Sequence, residues 1–310
     1  MSRVLVTGGA GFIGSHVVEQ LMLNQHEVTV LDDLSTGKLS NLDGLDCSFI
    51  YGSILDEEKL QEVSRGMDAV IHLAAIVSVP ESFKAPLKCS EVNVTGTLNV
   101  LNVCKKNGIR RFIQASSSAV YGDEPSLPKS EESPLVPMSP YAASKLAAEQ
   151  LAFSYSNSGI SCTSLRFFNV YGQRQDPSSA YSGVISIFVS RISSGLPITV
   201  FGDGGQTRDF ICVSDVSTYV VNGLRRNPDT HEILNIATGR SISLLEMVSF
   251  IADASGNSVE ITFAEPRTGD IYHSSASVSK LLAIDPHVTV PFEKGIATLV
   301  CPVSNQFCLS

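Results

Sequence analysis

Val6-Thr7-Gly8-Gly9-Ala10-Gly11-Phe12-Ile13-Gly14 joins an apolar, β-branched run to a segment of helical apolar spacing, with glycine at 8, 11 and 14. Glycine suits the tight turn expected at Gly8, the close approach of backbone to an anion at Gly11, and the tight helix–strand packing at Gly14. The helix that follows, residues 13–23, offers free N–H groups and a partial positive charge to a phosphate. The spacing is G-x-x-G-x-x-G rather than the G-x-G-x-x-G of the standard dinucleotide fingerprint. On these glycines alone, a turn without a ligand stays open. Asp32 narrows the choice. It ends the next strand, at the distance where an acidic side chain meets adenosine ribose hydroxyls. A carboxylate there repels a 2′-phosphate, so NAD is expected rather than NADP. Lys38 is the one nearby cation acting the other way, and Asp33 reads equally well as a solvated turn residue.

Outward from this turn, strand and helix patterns alternate. Strands are expected at 4–7, 27–31, 47–51, 69–73, 111–115 and 161–166, with helices at 13–23, 56–64, 90–106 and 139–155. Such alternation predicts right-handed βαβ crossovers and a doubly wound parallel α/β sheet. After Asn169 the texture changes. Residues 172–182 read as a polar loop, 184–194 as a helix, 198–201 as a strand and 202–205 as a glycine-rich turn. A helix over 213–226 returns toward the first domain, and 243–254, 259–263 and 279–284 read as helix, strand and helix. The expected organisation is a dinucleotide-binding domain over 1–172, rejoined by about 207–240, and a smaller, interleaved α/β lobe within 173–310.

Composition excludes several classes. A formal net charge of −9 opposes bulk attraction to nucleic acid or an anionic membrane. No stretch is long and apolar enough to span a bilayer, and residues 1–7 lead straight into a strand, so no signal peptide and a cytoplasmic location are expected. The seven cysteines show no CxxC or Cys/His ligand spacing, so no metal is expected. Cys301 and Cys308 are a candidate pair, against which a reducing compartment weighs. His72, in an apolar strand, reads as a packed core histidine, and Glu57-Glu58 as a solvated helix face.

Two further motifs carry chemistry. Ala115-Ser116-Ser117-Ser118-Ala119-Val120-Tyr121-Gly122 places small hydroxyls just past a strand's C-terminal end, where ligands bind in open α/β sheets. Tyr141-Ala142-Ala143-Ser144-Lys145 sets a phenol and an ammonium one helical turn apart on one face. To act as a base near neutrality, a phenol must fall ~3 units from ~10, which takes ~4 kcal/mol of preferential phenolate stabilisation. Lys145 and an oxidised nicotinamide are suitable sources of that charge.

With these motifs in this order, the chain resembles the extended short-chain dehydrogenase/reductases of Rossmann fold and, within them, the UDP-hexose 4-epimerases. The likeness runs from Val4 to about Lys280. It implies that Tyr141 is the base, that Lys145 binds the nicotinamide ribose, and that Ser117 bonds the reacting hydroxyl. Ser117 is preferred to Ser116 and Ser118 because the family's hydroxyl lies four residues before the tyrosine of its V-Y-G element, here Tyr121. The implied NAD contacts are Gly8, Gly11, Phe12, Ile13, Gly14, Asp32, Lys38, Ser53, Ile54, Leu73, Ala74, Ala75 and Asn93, besides Tyr141 and Lys145. Ile54 is expected beside the adenine, while Ser53 replaces an aspartate that many relatives carry. The dehydratase branch has Asp-Glu after its catalytic hydroxyl, where this chain has Ser118-Ala119, so water elimination lacks its acid and base.

For the substrate, the resemblance implies Asn169 and Val184 in the sugar-nucleotide site and Phe201 on the uracil. Arg208 and Arg267 would hold the diphosphate with guanidinium forks, and Asp270 the uridine ribose. Phe210 stands where relatives often have tyrosine. Gln173 to Pro177, with Ala180-Tyr181, resembles the variants that handle N-acetylhexosamines. Ser274 occupies the gate beside the sugar C2 substituent, where a bulky tyrosine would exclude N-acetyl. The expectation is reversible 4-epimerisation with bound NAD, UDP-GlcNAc/UDP-GalNAc favoured and UDP-glucose/UDP-galactose accepted. The alternatives are a UDP-glucuronate epimerase, a net NAD-dependent oxidoreductase or decarboxylase, and a non-catalytic NAD sensor. The helices expected at 90–106 and 139–155 resemble those that pair relatives into homodimers.

Overall fold

The computed structural model describes residues 1–176, 183–229, 231–266 and 272–300. In chain order the elements are β1 (Arg3–Thr7), α1 (Phe12–Leu23), β2 (Glu27–Asp32), β3 (Ser48–Tyr51), α2 (Glu57–Val63), β4 (Ala69–His72), α3 (Val79–Lys84), α4 (Pro86–Ser90), α5 (Gly96–Lys106), β5 (Arg111–Ser117), α6 (Pro140–Ser156), β6 (Ser161–Phe167) and β7 (Asn169–Tyr171). There follow α7 (Val184–Ser193), β8 (Ile198–Phe201), β9 (Thr207–Cys212), α8 (Val213–Gly223), β10 (Glu232–Ile236), β11 (Ser241–Ser243), α9 (Leu244–Ser255), β12 (Ile261–Ala264), α10 (Ser279–Ile284) and α11 (Phe292–Val300).

The chain divides into two compact units. The first comprises Met1–Glu124, Glu131–Phe167 and Val216–Ile236, and the second Pro125–Ser130, Phe168–Asp215 and Ala237–Ser310. The passage out of the first unit thus falls at 167 rather than 172, and the return is shorter than 207–240. The excursion Pro125–Ser130 has no counterpart in the sequence reading.

In the first unit a seven-stranded sheet runs β10-β6-β5-β4-β1-β2-β3, with every neighbouring pair parallel. The strand order reverses between β1 and β4, the crevice where such sheets bind ligands. Near-continuous apolar runs explain the strands. Val4, Leu5 and Val6, like Val70 and Ile71, are fully buried, as parallel strands covered on both faces require. Leu5, Leu31, Val70, Val100, Leu101, Phe112 and Cys162 belong to one core cluster. His72 lies in that core region, buried as expected.

The helix expected over 90–106 is in fact α4, a π-helical stretch Glu91–Thr95 and α5. π turns of this kind gather at functional sites, and this one carries Asn93. In the second unit, β7, β9 and β11 form one small sheet, and β8 and β12 another. The strands β7, β9, β10 and β11 and the helices α3 and α11 were not expected. Phe292 and Ile296 of α11 are buried in the second unit's core with Ile198, Phe210 and Met247. Cys47, Cys89, Cys104, Cys162 and Cys212 are free thiols, and Cys301 and Cys308 lie outside the described residues.

Candidate active site

The glycine turn is built as its spacing demands. Gly8 has φ +73, and a Cβ there would meet Ala74 N at 2.6 Å. A Cβ on Gly14 would lie 2.1 Å from the Gly8 carbonyl oxygen, so α1 starts against the turn itself. Gly11 differs, since a Cβ would meet only Gly8 O, at 3.2 Å. It caps α1 with no side-chain bond, and the first turn of α1 holds no acidic residue. Backbone N–H groups are therefore presented to an anion at an open position, which suits a pyrophosphate. Phe12 and Ile13 are half-buried in this turn, and Leu73, Ala74 and Ala75 follow β4 over Gly8.

Asp32 ends β2 and is buried, with Oδ2 accepting the Ala10 N–H at 2.9 Å and Oδ1 the Leu34 N–H at 2.8 Å. Burial raises its pKa, against the pull of those two amides. Each oxygen keeps a lone pair for a further donor. Lys38 is exposed and donates its own N–H to Ala10 O at 3.0 Å. The Ser53 hydroxyl accepts the Leu55 N–H at 3.2 Å. Ile54 is buried, and a Cβ on Gly96 would meet its Cδ1 at 2.4 Å, so the core of the first unit holds most of that side chain.

Asn93 is almost fully enclosed. Its Nδ2 donates to Ile76 O and to Ser144 Oγ, both at 2.9 Å, and its Oδ1 accepts the Ile76 N–H at 2.8 Å. Both amide hydrogens are thus used within the protein, and Asn93 braces the loop after β4 against α6. Thr97 Oγ1 donates to Asn93 O at 2.6 Å, so its oxygen accepts from His72 Nε2 at 3.0 Å, and His72 Nδ1 accepts from Thr7 Oγ1 at 2.7 Å. Burial, with the Lys145 charge, lowers the His72 pKa to about 3, so this imidazole is neutral.

Ser117, Tyr141 and Lys145 converge at the C-terminal end of β5. The N-cap of α6 is Ser139, whose Oγ accepts the Ala142 N–H at 3.1 Å, and Pro140 preorganises the first turn. Tyr141 is therefore aimed from the best-held end of the helix. It is buried, and burial raises its pKa while the Ser117 hydroxyl lowers it. The protein's own groups thus push the phenol opposite to what a base needs, because desolvation exceeds what Ser117 supplies. The Lys145 ammonium donates to Ala115 O at 2.9 Å, and burial lowers its pKa to about 8, against the opposing charges of Cys89 and Glu149. Ser117 Oγ accepts the Ala119 N–H at 3.2 Å. Ser116 points to the other face of β5, as alternation requires, and its hydroxyl is bound by Glu149.

In the second unit, Asn169 Nδ2 donates to Asp209 O at 3.1 Å, and Arg208 Nη1 to Thr207 O at 2.9 Å and Tyr272 O at 3.2 Å. The Asp209 carboxylate is buried and accepts Thr238 N–H, Thr238 O–H and Gly239 N–H, all within 2.9 Å, which pins β9. Ser274 is half-buried, with its N–H on Thr207 O at 3.0 Å. Phe201 opens on a cavity of about 540 Å³ shared with Gln206, Phe263, Pro266 and Tyr272. Val184 starts α7 and packs on the core of this unit. Phe210 is buried 5.5 Å from the Phe292 ring, an apolar site with no call for the tyrosine hydroxyl it lacks. Arg267, Asp270, Pro177, Ala180 and Tyr181 lie outside the described residues. Among those that are described, no cluster of His, Cys, Asp or Glu is arranged to hold a metal, and no helix is long and apolar enough to cross a membrane.

Glu149, Arg166 and Asp209 escaped the sequence reading. The available signal was a charged residue inside an otherwise apolar strand, in Leu165-Arg166-Phe167 and Asp209-Phe210-Ile211. Such a charge stays only when it is paired.

A doubly wound sheet with a glycine turn at the reversal of strand order and a buried Tyr/Lys pair beside it defines a dinucleotide-binding protein equipped for chemistry. The NAD dependent epimerase/dehydratase family model matches residues 4–237, and the chain belongs to that family. It is 37% identical over 308 residues to a UDP-glucose 4-epimerase of Mycolicibacterium smegmatis, covering 96% of this chain and 97% of that one. A UDP-N-acetylglucosamine 4-epimerase from Methanobrevibacter ruminantium, solved with UDP-N-acetylmuramic acid, superposes with a TM-score of 0.92 at 36% identity, covering 96% of this chain and 97% of that one. A UDP-glucose 4-epimerase of Thermus thermophilus, solved with NAD, gives a TM-score of 0.87 at 40% identity with the same coverage.

Proposed function

We propose that the protein epimerises a UDP-hexose reversibly at C4, with NAD held throughout. The observation that carries this reading is the convergence of Ser117, Tyr141 and Lys145 at the end of β5, in a chain of this family. Gly8, Gly11 and Gly14 with the start of α1 would hold the pyrophosphate, and Asp32 the adenosine ribose. NAD, when bound, supplies a reversible hydride acceptor and a positive charge. Tyr141 takes the proton of the 4-hydroxyl and later returns it, Ser117 orients that hydroxyl, and the Lys145 ammonium stabilises the phenolate. The resulting 4-keto sugar must turn over in the site, so the anchoring falls to groups that grip the diphosphate and the base. Asn169, Arg208 and Phe201 are the described candidates for that task.

The preferred sugars are UDP-GlcNAc and UDP-GalNAc, with UDP-glucose and UDP-galactose accepted, because Ser274 is too small to exclude an N-acetyl group. Incubation with each UDP-sugar, without added NAD, should give the 4-epimer by NMR. Ser274→Tyr should lose UDP-GlcNAc turnover and keep UDP-glucose. Unchanged UDP-GlcNAc alongside equilibrated UDP-glucose would refute the sugar preference and leave the reaction standing. A homodimer is proposed with it, supported by the apolar Phe83 on α3 and Leu87 on α4, both largely exposed. Sedimentation of a Phe83→Glu/Leu87→Glu variant as a monomer is the expected result.

A further inference from the structure

Behind Ser117 lies a buried ion pair that none of these steps uses. Arg166 on β6 donates from Nη2 to Glu149 Oε2 at 2.7 Å and from Nε to Oε1 at 2.9 Å, with side chains 1% and 0% exposed. Glu149 Oε1 also accepts the Ser116 hydroxyl at 2.5 Å. Arg166 Nη1 donates to Tyr121 OH at 2.9 Å and to Glu131 O at 3.3 Å, and the guanidinium carbon lies 4.9 Å from the Tyr121 ring centroid. Tyr121 donates its own O–H to Asn235 Oδ1 at 2.6 Å. Burial lowers the Arg166 pKa, but the bonds and charge of Glu149 exceed that effect and the net push is upward.

Such a pair is a weak source of stability, because desolvation offsets the attraction and well-packed apolar residues often replace it without loss. Its location says more. Ser116 precedes Ser117 and is tied to Glu149. The turn Ser118–Tyr121, which follows Ser117, is tied through Tyr121 to Arg166. The residue before Ser117 and the far end of the turn after it are therefore held by the two halves of one ion pair. Tyr141, Lys145 and Glu149 stand at four-residue spacing on α6, one face of the helix. Lys145 grips Ala115 O and Glu149 grips Ser116 Oγ, so α6 holds consecutive residues of β5 at two points.

We propose that Glu149 and Arg166 are positioning residues, whose ion pair sets the approach of Ser117 to Tyr141. This rests on the epimerase reading. Charge acts alongside geometry. The titratable groups acting on Lys145 are Glu149 on its own helix and Cys89 on α4, and the Lys145 charge in turn acts on His72 at the end of β4. Glu149 and Cys89 oppose the burial that lowers Lys145 to about 8. An ammonium that assists the phenolate works below its pKa and is lost as pH rises through it. Removing Glu149 therefore moves that loss to lower pH.

The test uses the NAD-loaded full chain, wild type against the apolar double variant E149L/R166M and the isosteric E149Q. The double variant should keep its fold and its NAD, yet lose about 100-fold in kcat with KM little changed, as misplaced reacting groups do. In both variants the alkaline limb of kcat should move to lower pH. A folded, NAD-loaded double variant with wild-type kcat and an unmoved limb overturns the proposal. If the double variant does not fold, the alkaline limb of E149Q decides alone. A wild type that turns over no UDP-sugar counts against the epimerase reading. The Lys145 midpoint, followed by NMR of labelled lysine, then decides the pair, being lower by at least about half a unit in E149Q if the proposal holds and equal to wild type if it fails.

Discussion

At Lys145 two physical demands conflict. An ammonium must be charged to assist a phenolate, yet enclosure in the site lowers its pKa to about 8. The alkaline limb of kcat should therefore fall through about pH 8, which a pH profile of the purified protein checks. Tyr141 meets the opposite problem, since burial raises its pKa further than the Ser117 hydroxyl lowers it. Tyr141→Phe should lower kcat by about 10²–10⁴-fold with little change in KM, measured by steady-state epimerisation. His72 sets an acid limit on stability. Its folded pKa is about 3 against 6.5 unperturbed, so the unfolded chain gains a proton through 6.5 that the folded chain refuses until about 3. Stability should drop over that window by up to about 1.4 kcal/mol per pH unit from this group alone. Urea unfolding of His72→Gln at pH 4 to 6 should show a shallower slope than wild type.

At the scale of elements, the start of a helix does the aiming. Ser139 caps α6 and Tyr141 sits two residues on, so Ser139→Ala should cost about 1 kcal/mol in thermal unfolding and lower kcat through Tyr141. At α1 the constraint is steric. A methyl group on Gly14 would sit 2.1 Å from Gly8 O, so Gly14→Ala should give protein with reduced bound NAD, read by absorbance of extracted cofactor. These two elements were legible in advance, because glycine spacing, caps and apolar period all lie within a dozen residues. The π turn at Glu91–Thr95 was not. Its Asn93 bonds to Ile76 and Ser144, and Thr97 just beyond it to His72, all distant in sequence.

Across the whole molecule, the chain crosses between its two compact units several times, and α8 carries it from one to the other at Asp215/Val216. Removing the residues after 236 would strip the second unit of α9, α10 and α11, and with them Met247, Phe292 and Ile296 of its core. Such a truncation should leave protein without UDP-sugar affinity, checked by calorimetry against UDP. The second unit was the harder to foresee. Its strands β7 and β11 are three residues long, too short for a period to register, and they exist because each finds a partner in β9.

What the sequence by itself determined is whatever local chemistry dictates: the apolar parallel strands, the glycine turn before α1, the acidic end of β2, and a phenol and ammonium one helical turn apart on α6. Tertiary structure alone decided what depends on distant partners. Glu149 and Arg166 are both charged and both enclosed, and only the fold that brings β5, β6 and α6 together shows that each neutralises the other. Asn93 was read as a cofactor contact, and its amide is held by Ile76 and Ser144. Phe292 lies on a helix that the sequence patterns do not predict, and it fills a core. The reason is the same in each case: a pattern along the chain reports which surface wants burial, while its partner is chosen only by packing.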